Sequence, residues 1–530
     1  MLNEIEYYIS LGYTKQQAER IASLDFTHPF IQPSSPRSPG FFGAIAQSIS
    51  SSSVSKRKTS KNVTVAANCV ADAMPMEECV CYQKVVEPAI SIEDVRTDSY
   101  EHIKEQPHKD TQYSPTSTFQ TTYNTAAATI LIGNFQQGTH MNFNMVRTEE
   151  LLNYLRYSLI QPSTDLFAVT PELKREGDKG YLFLGIQGKH TMPTHKNIVL
   201  LIDTSGSMSS KVLAIRSTIA TVFADMHDGD VFSIVTYSDT DHTFINGMKV
   251  NKEHNIDYVL DKIKDMEIRG CTYGSKGIET AYSIIEENYI DNGVNRVILV
   301  TDGDLNFGIT EKSGLKQLIE KKRKTGAYLS CIGTGLYNLM DDKLETLAKY
   351  GNGNYFVVNS IEDVQSVLHD HYESLIFPIA KNVKAQVEFN PNIVKGYKLV
   401  GFENRTLSHE DFRNDNIVAE PFGSGSYCIA CYELDFGECE KSHPLRYTVS
   451  GNTGNTDELC TLTIRYQDIN SEEYHELEFI VPNEEKQTEN IERAIECMDI
   501  ADVLRHEESQ GAKRRAMRKY LEMLGLEMNE

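Results

Sequence analysis

Between residues 195 and 376 the chain alternates unbroken apolar runs of strand length with amphipathic stretches of helix length, and this alternation restricts the fold more than any other feature. The runs are NIVLLID, DVFSIVTYS, NRVILVTDG, AYLSCIGTG and NYFVV. Continuous apolar runs predict strands covered on both faces. Between them fall KVLAIRSTIATVFADM, GSKGIETAYSIIEENYI, GLKQLIEKKRKTG, MDDKLETLAKYG and IEDVQSVLHDHYESL. Such alternation predicts a doubly wound α/β domain with a mainly parallel sheet. DHTFING, after DVFSIVTYS, predicts a hairpin edge strand.

The remaining stretches read differently. Residues 1–32 predict a short helical segment: Leu2, Ile5, Tyr8 and Ile9 recur at helical spacing, Gly12 breaks the run, and Thr14 is placed to cap TKQQAERIASL. LGYT is similar to part of a ubiquitin-associated domain, but Pro29 arrives before a third helix, so a small docking helix pair is the reading taken. Residues 33–117 predict a Ser/Pro-rich, partly disordered linker, with Lys56-Arg57-Lys58 as a solvated charge run rather than a nuclear address. Residues 118–194 predict a flanking segment with an amphipathic helix over 147–159 and a strand over 180–189. Residues 377–483 lose the helices, and short runs such as NVKAQVEFN, SYCIACYELDF, LRYTVSG and YHELEFIVP predict a β-sandwich-like domain. Residues 484–530 return to helix, broken at Gly511. Their apolar stripe of Ile491, Ile495, Met498 and Val503 either covers the β-rich platform or supports self-association.

Composition narrows the function classes. The net charge of -23 disfavours nucleic-acid and anionic-membrane partners. No apolar run is long enough to span a bilayer, and the acidic start with Glu4 and Glu6 does not read as an export signal. The 10 cysteines, scattered without tight spacing, are ordinary for 530 residues and point to reduced thiols, hence to a cytoplasmic location.

Chemistry concentrates where two strands end. NIVLLID runs into Asp203-Thr-Ser205-Gly-Ser207, and NRVILV runs into Thr301-Asp302-Gly303-Asp304. A third loop, RGCTYGSKG, carries Thr272 just before a helix. In an open α/β sheet, ligands bind outside the carboxyl ends of the strands. Hydroxyls and carboxylates, with no thiolate or imidazole pair, suit a hard cation: Mg²⁺, Mn²⁺ or Ca²⁺. A first shell rich in hydroxyls leaves the ion electrophilic toward a carboxylate from outside. Gly206 is read as permitting a tight turn, and Gly303 as permitting close backbone approach to the ion.

These residues carry a resemblance. DTSGSM at 203–208, Thr272 and TDG at 301–303 resemble the metal-ion-dependent adhesion site of von Willebrand factor type A domains. The resemblance implies that Ser205 and Ser207 are direct ligands and Thr272 a direct or water-mediated one. It implies that Asp203 and Asp302 act mainly through water, and that an acidic side chain of a partner protein completes the octahedron. TDGDLNFGIT, GIQGK at 185–189, the stretch 387–412 and the segment 117–157 are similar to a bacterial subfamily of these proteins, so the likeness covers roughly 117–475. This chain departs from that subfamily with CTYG, where Tyr273 stands in place of a small residue, and with MNFN at 141–144 in place of Leu-Pro-Pro. Many relatives begin with an exported or lipid-anchored N-terminus, which this chain does not show. In similar proteins the two flanks pack together, so the α/β unit is expected as an insertion between 118–190 and 378–482, its metal face pointing away.

The function expected is a metal-dependent protein-binding module that is not an enzyme. The alternatives are a structural scaffold with a non-functional metal site and, behind it, a metal-dependent hydrolase with Asp304 as base. GxSxG, HExxH and glycine-loop nucleotide motifs are missing, and no pattern places His190, His195 or His227 near Ser205. Cys428 and Cys431 form a C-x-x-C, but on a strand residues three apart point to opposite faces, so buried thiols are expected rather than zinc.

Overall fold

A computed structural model of the chain describes residues 4–26, 100, 102–139, 143–191, 195–270, 274–303, 312–336, 339–369, 372–437, 457–469 and 471–526. The central sheet has six strands in the order Tyr355–Val357, Tyr328–Gly333, Val294–Thr301, Lys196–Asp203, Val231–Tyr237, Asp241–Lys249. The first five are parallel, and Asp241–Lys249 closes the edge antiparallel to Val231–Tyr237, the expected hairpin. Alternate residues of each inner strand enter different cores. Ile198, Leu200 and Ile202 face one cluster and Val199 and Leu201 another, which is why the sequence shows an unbroken apolar run.

One face of this sheet is covered by helices Val212–Ala224 and Lys252–Ile263 and by the N-terminal pair Glu4–Ser10 and Lys15–Ala22. The pair docks as expected. The Tyr7, Tyr8 and Tyr13 hydroxyls bond Thr221 Oγ1 at 2.9 Å, Ser217 Oγ at 2.8 Å and the Ala220 carbonyl at 2.6 Å, all on one helix. Thr14 caps the second helix in a full capping box. The other face packs against helices Gly274–Glu287, Lys312–Lys322 and Asp341–Tyr350 and the flanking helix Ala126–Gln136; Thr148–Tyr154 and the C-terminal helices extend the same core toward the platform.

Two antiparallel sheets form the platform. One has the order Lys109–Asp110, Gly396–Val400, Tyr427–Asp435, Lys179–Gly188, Phe167–Glu176; the other runs Thr406–Leu407, Thr116–Gln120, Pro378–Phe389, Glu458–Asp468, Tyr474–Pro482, with Phe422–Gly423 pairing Pro378–Phe389. Each sheet takes strands from both sides of the α/β stretch. Tyr427–Asp435 lies along Lys179–Gly188, and Pro378–Phe389 along Thr116–Gln120. Their facing sides share a core that includes Phe119, Leu184, Val387 and Tyr432.

Several expectations are corrected. Residues 102–117, assigned to the linker, join the platform: Ile103 is buried, Lys109 pairs with Tyr397, and Thr111 donates to the Val394 carbonyl. Helices Ala126–Gln136 and Lys252–Ile263 and strand Phe167–Glu176 went unforeseen, and the helix expected over 147–159 ends at Tyr154 because Leu155 is extended. The break between the last helices falls at 507–509, where Ser509 caps Gln510–Met523, and Gly511 is helical. Ile491 and Met498 are buried against the platform, while Ile495 and Val503 are half-buried. Apart from Tyr100, the rest of the linker, with its basic cluster, and LRYTVSG lie outside the described residues.

Candidate metal site at the sheet rim

Strands Lys196–Asp203 and Val294–Thr301 are parallel neighbours, with Ile202 opposite Val300. From the first, the chain crosses to Val231–Tyr237 on one side, and Val294–Thr301 lies on the other. The loops leaving their carboxyl ends therefore diverge at the topological switch point of an open α/β sheet, where ligands bind in such folds. Asp203 ends one strand and Asp302 follows the other, so the sheet itself brings the two acid-bearing loops together.

Asp203 is fully buried and held on every side. The Ser205 backbone N–H donates to its Oδ1 at 2.9 Å, while the Thr301 hydroxyl and the Tyr237 hydroxyl donate to its Oδ2 at 2.7 and 3.3 Å. Its carboxyl is pushed up to about 6, first by burial and then by the nearby Asp302 charge, against the pull of the Ser205 and Thr301 hydrogen bonds. The Ser205 and Ser207 hydroxyls lie 3.1 Å apart; Ser205 is buried and Ser207 exposed, so the pair leads from the buried acid to solvent. Neither Ser209 nor Ser210 caps the following helix: both lie in the 3-10 turn Gly206–Lys211.

Asp302 is also fully buried, and Lys211 Nζ donates to its Oδ2 at 2.7 Å. Gly303 has a φ of +82°, and a Cβ there would lie 3.0 Å from Met340 Cβ, so the expected glycine requirement is real but concerns the packed helix Asp341–Tyr350. Gly206 donates its N–H to the Gly270 carbonyl at 3.1 Å and, unlike Gly303, is not among the glycines with positive φ. Arg269 N–H donates to the Thr204 carbonyl at 2.8 Å, so the loop that leads into Thr272 is laced to the serine loop. Thr272 itself, with Cys271, Tyr273 and Asp304, lies outside the described residues. Four of the five expected site residues, Asp203, Ser205, Ser207 and Asp302, thus gather at one rim.

Tyr237, Thr301 and Lys211 were not singled out from sequence. Thr301 stands in the quoted TDG and Lys211 is the first cation after the serine loop, but only the fold shows which carboxylate each meets. The rim is joined to the platform through a neighbouring helix. Met340 N–H donates to the Asp302 carbonyl at 2.9 Å, and the next residue, Asp341, receives Arg147 Nη1 of the flank at 2.8 Å.

The donor set fits a hard divalent cation. It offers carboxylate and hydroxyl oxygens, and one ammonium pairs with Asp302, one of the two buried carboxylates. Among the described residues no group of three or more His, Cys, Asp or Glu side chains could hold a metal, so any ion here would rely on the hydroxyls. The histidines are elsewhere: His195 and His227 flank Asp230, each at 4.0 Å, beside the amino end of Val231–Tyr237, and His190 meets Glu373 at 2.7 Å. Cys428 faces the platform core and Cys431 the opposite face, and burial pushes the Cys428 thiol up to about 12.

The sheet topology and this rim define a protein of the von Willebrand factor type A class. The family model for the von Willebrand factor type A domain matches residues 197–370, and the chain belongs to that family. Two further models match the flanks: "von Willebrand factor" over 94–176, and "Uncharacterized protein YfbK, C-terminal" over 374–519. The likeness therefore reaches beyond the 117–475 read from sequence, at both ends.

Among its relatives is the protein described as uncharacterized protein YfbK of Escherichia coli (strain K12), 30% identical over an alignment of 412 residues that covers 74% of this chain and 71% of that one. The chain is also 23% identical over 310 residues to inter-alpha-trypsin inhibitor heavy chain H3 of Homo sapiens, covering 54% of this chain but only 34% of the heavy chain. A solved structure, von Willebrand factor type A from Catenulispora acidiphila, aligns over 68% of this chain and 87% of its own with 15% identity and a TM-score of 0.40. Domains of this family often mediate protein–protein interaction, and none of the proteins named here carries an enzyme name. Among the described residues no helix is long and apolar enough to cross a membrane.

Proposed function

We propose that this chain is a metal-ion-dependent protein-binding module. Ser205 and Ser207 hold a divalent cation, Mg²⁺ with Mn²⁺ or Ca²⁺ as substitutes, directly. Asp203 and Asp302 act through water, Thr272 contributes from the third loop, and an acidic side chain of a partner protein completes the shell. The observation that carries this reading is the convergence of two buried carboxylates and two adjacent hydroxyls at the topological switch point of the sheet. The buried thiols of Cys331, Cys428, Cys431, Cys460 and Cys497 support a reducing, cytoplasmic setting.

One observation favours a second reading, a scaffold whose rim works without metal: Lys211 already supplies Asp302 with a countercharge. Titration of the full-length chain with Mn²⁺, followed by electron paramagnetic resonance, separates the two. The metal reading expects saturable binding that Ser205→Ala weakens roughly tenfold or more, with an unchanged thermal midpoint in EDTA. Absence of saturable binding by the unaltered chain would overturn it and leave the scaffold.

A further inference from the structure

Lys211 leaves the start of helix Val212–Ala224 and runs over Gly335 to reach Asp302. A Cβ on Gly335 would lie 2.5 Å from Lys211 Cε and 2.9 Å from its Nζ, so the backbone there is open for this side chain to pass. Gly335 has a φ of +103°, and its N–H donates to Asn359 Oδ1 at 2.6 Å, which fixes that open path. The lysine side chain is only 9% exposed. Burying an ammonium is costly unless it is paired, so its place on Asp302 is a built feature rather than a surface contact.

The charges give this contact a consequence. Among the described residues of the rim, Asp203, Asp302 and Lys211 together carry a net charge of −1 when ionised; Asp239 lies beside Gly270 but is exposed and so is screened by solvent. A divalent cation at the rim would leave one positive charge on the assembly. Without Lys211, the two carboxylates would cancel the ion completely. We propose that Lys211 sets the partner specificity of the rim: it withholds one carboxylate charge from the ion, weakening metal binding while strengthening capture of an external carboxylate. This rests on the metal-binding reading above and adds to it a positioning residue acting through Asp302.

The test compares the full-length chain with Lys211→Met, which keeps the stem that passes Gly335, and with Lys211→Gln as a second neutral variant. Mn²⁺ affinity is read by electron paramagnetic resonance, and glutarate is then titrated against each Mn²⁺-loaded protein. Both variants are expected to bind Mn²⁺ about tenfold more tightly or better, because a nearby buried positive charge is gone, and to bind glutarate at least several-fold more weakly. The thermal midpoint in EDTA falls, since buried Asp302 then lacks the ammonium. A merely structural lysine would lower both affinities together, and that result overturns the proposal, as does an unchanged affinity for both. If the unaltered chain binds no Mn²⁺, the underlying metal reading fails instead.

Discussion

Glu149 is buried beside Glu150 and Glu403, and one of its carboxylate oxygens has no hydrogen-bond partner. Burial first, then the charges of Glu403 and Glu150, push its carboxyl up to about 7, despite Arg405. A carboxyl raised in the folded state costs no stability below its ordinary pKa, where folded and unfolded chains are both protonated. The cost grows as pH rises through the interval and is complete above the folded value. Glu149→Gln is therefore expected to be more stable than the unaltered chain at pH 8, by up to about 3 kcal/mol at about 1.4 kcal/mol per unit. The gain should vanish as pH falls toward 4.5. Urea denaturation at a series of pH values measures it, and destabilisation at pH 8 would show that attraction to Arg405 dominates.

At the scale of elements, two attachments hold outlying helices in place. Arg216 clamps the N-terminal pair: its Nε and Nη2 meet the two oxygens of Glu4 at 2.6 and 2.7 Å, and Nη1 donates to the Leu24 carbonyl at 2.9 Å. The contact is partly exposed, so Arg216→Ala is expected to cost only about 1–2 kcal/mol. It should speed amide exchange across residues 4–22 without changing exchange in the central strands. Glu172, on strand Phe167–Glu176, anchors the other attachment. Its carboxylate accepts the Thr488 hydroxyl at 2.7 Å, the Asn490 side chain at 2.9 Å and the Ile491 N–H at 3.2 Å, at the start of helix Glu489–His506. A carboxylate there satisfies helix N-terminal donors and meets the positive end of the helix dipole. Glu172→Ala should cost about 2–3 kcal/mol, and limited proteolysis should then cut near 484–488 before it cuts the central sheet.

At the scale of the molecule, buried ion pairs tie the α/β unit to both halves of the platform. Arg147 meets Glu150 at 2.7 Å and Asp341 at 2.8 Å, and Arg405 pairs with Glu345 and Glu420. Asp341 and Glu345 lie on the helix that starts against the Asp302 loop, while Arg147, Arg405 and Glu420 belong to the platform. Removing one member of such a network strands the others in low dielectric, so Arg405→Met is expected to cost about 3–5 kcal/mol. Calorimetry should show one cooperative transition for the unaltered chain, and two well-separated transitions would contradict this coupling.

The sequence by itself determined the parallel sheet, because burial on both faces requires unbroken apolar runs such as NIVLLID and NRVILV, and it located both acid-bearing loops at strand ends. It also placed Cys428 and Cys431 on opposite faces through the two-residue repeat of a strand. Tertiary structure decided the rest. Lys109–Asp110 is a two-residue strand, too short for any repeat to register, and it exists because Gly396–Tyr397 offers it an edge. Helix Ala126–Gln136 is buried nearly all round, so it lacks the polar face by which a helix is recognised. The pairing of Lys211 with Asp302, and of Arg405 with Glu345, joins residues 91 and 60 positions apart. Electrostatic partnership acts through space, and only the folded chain fixes the distances on which it depends.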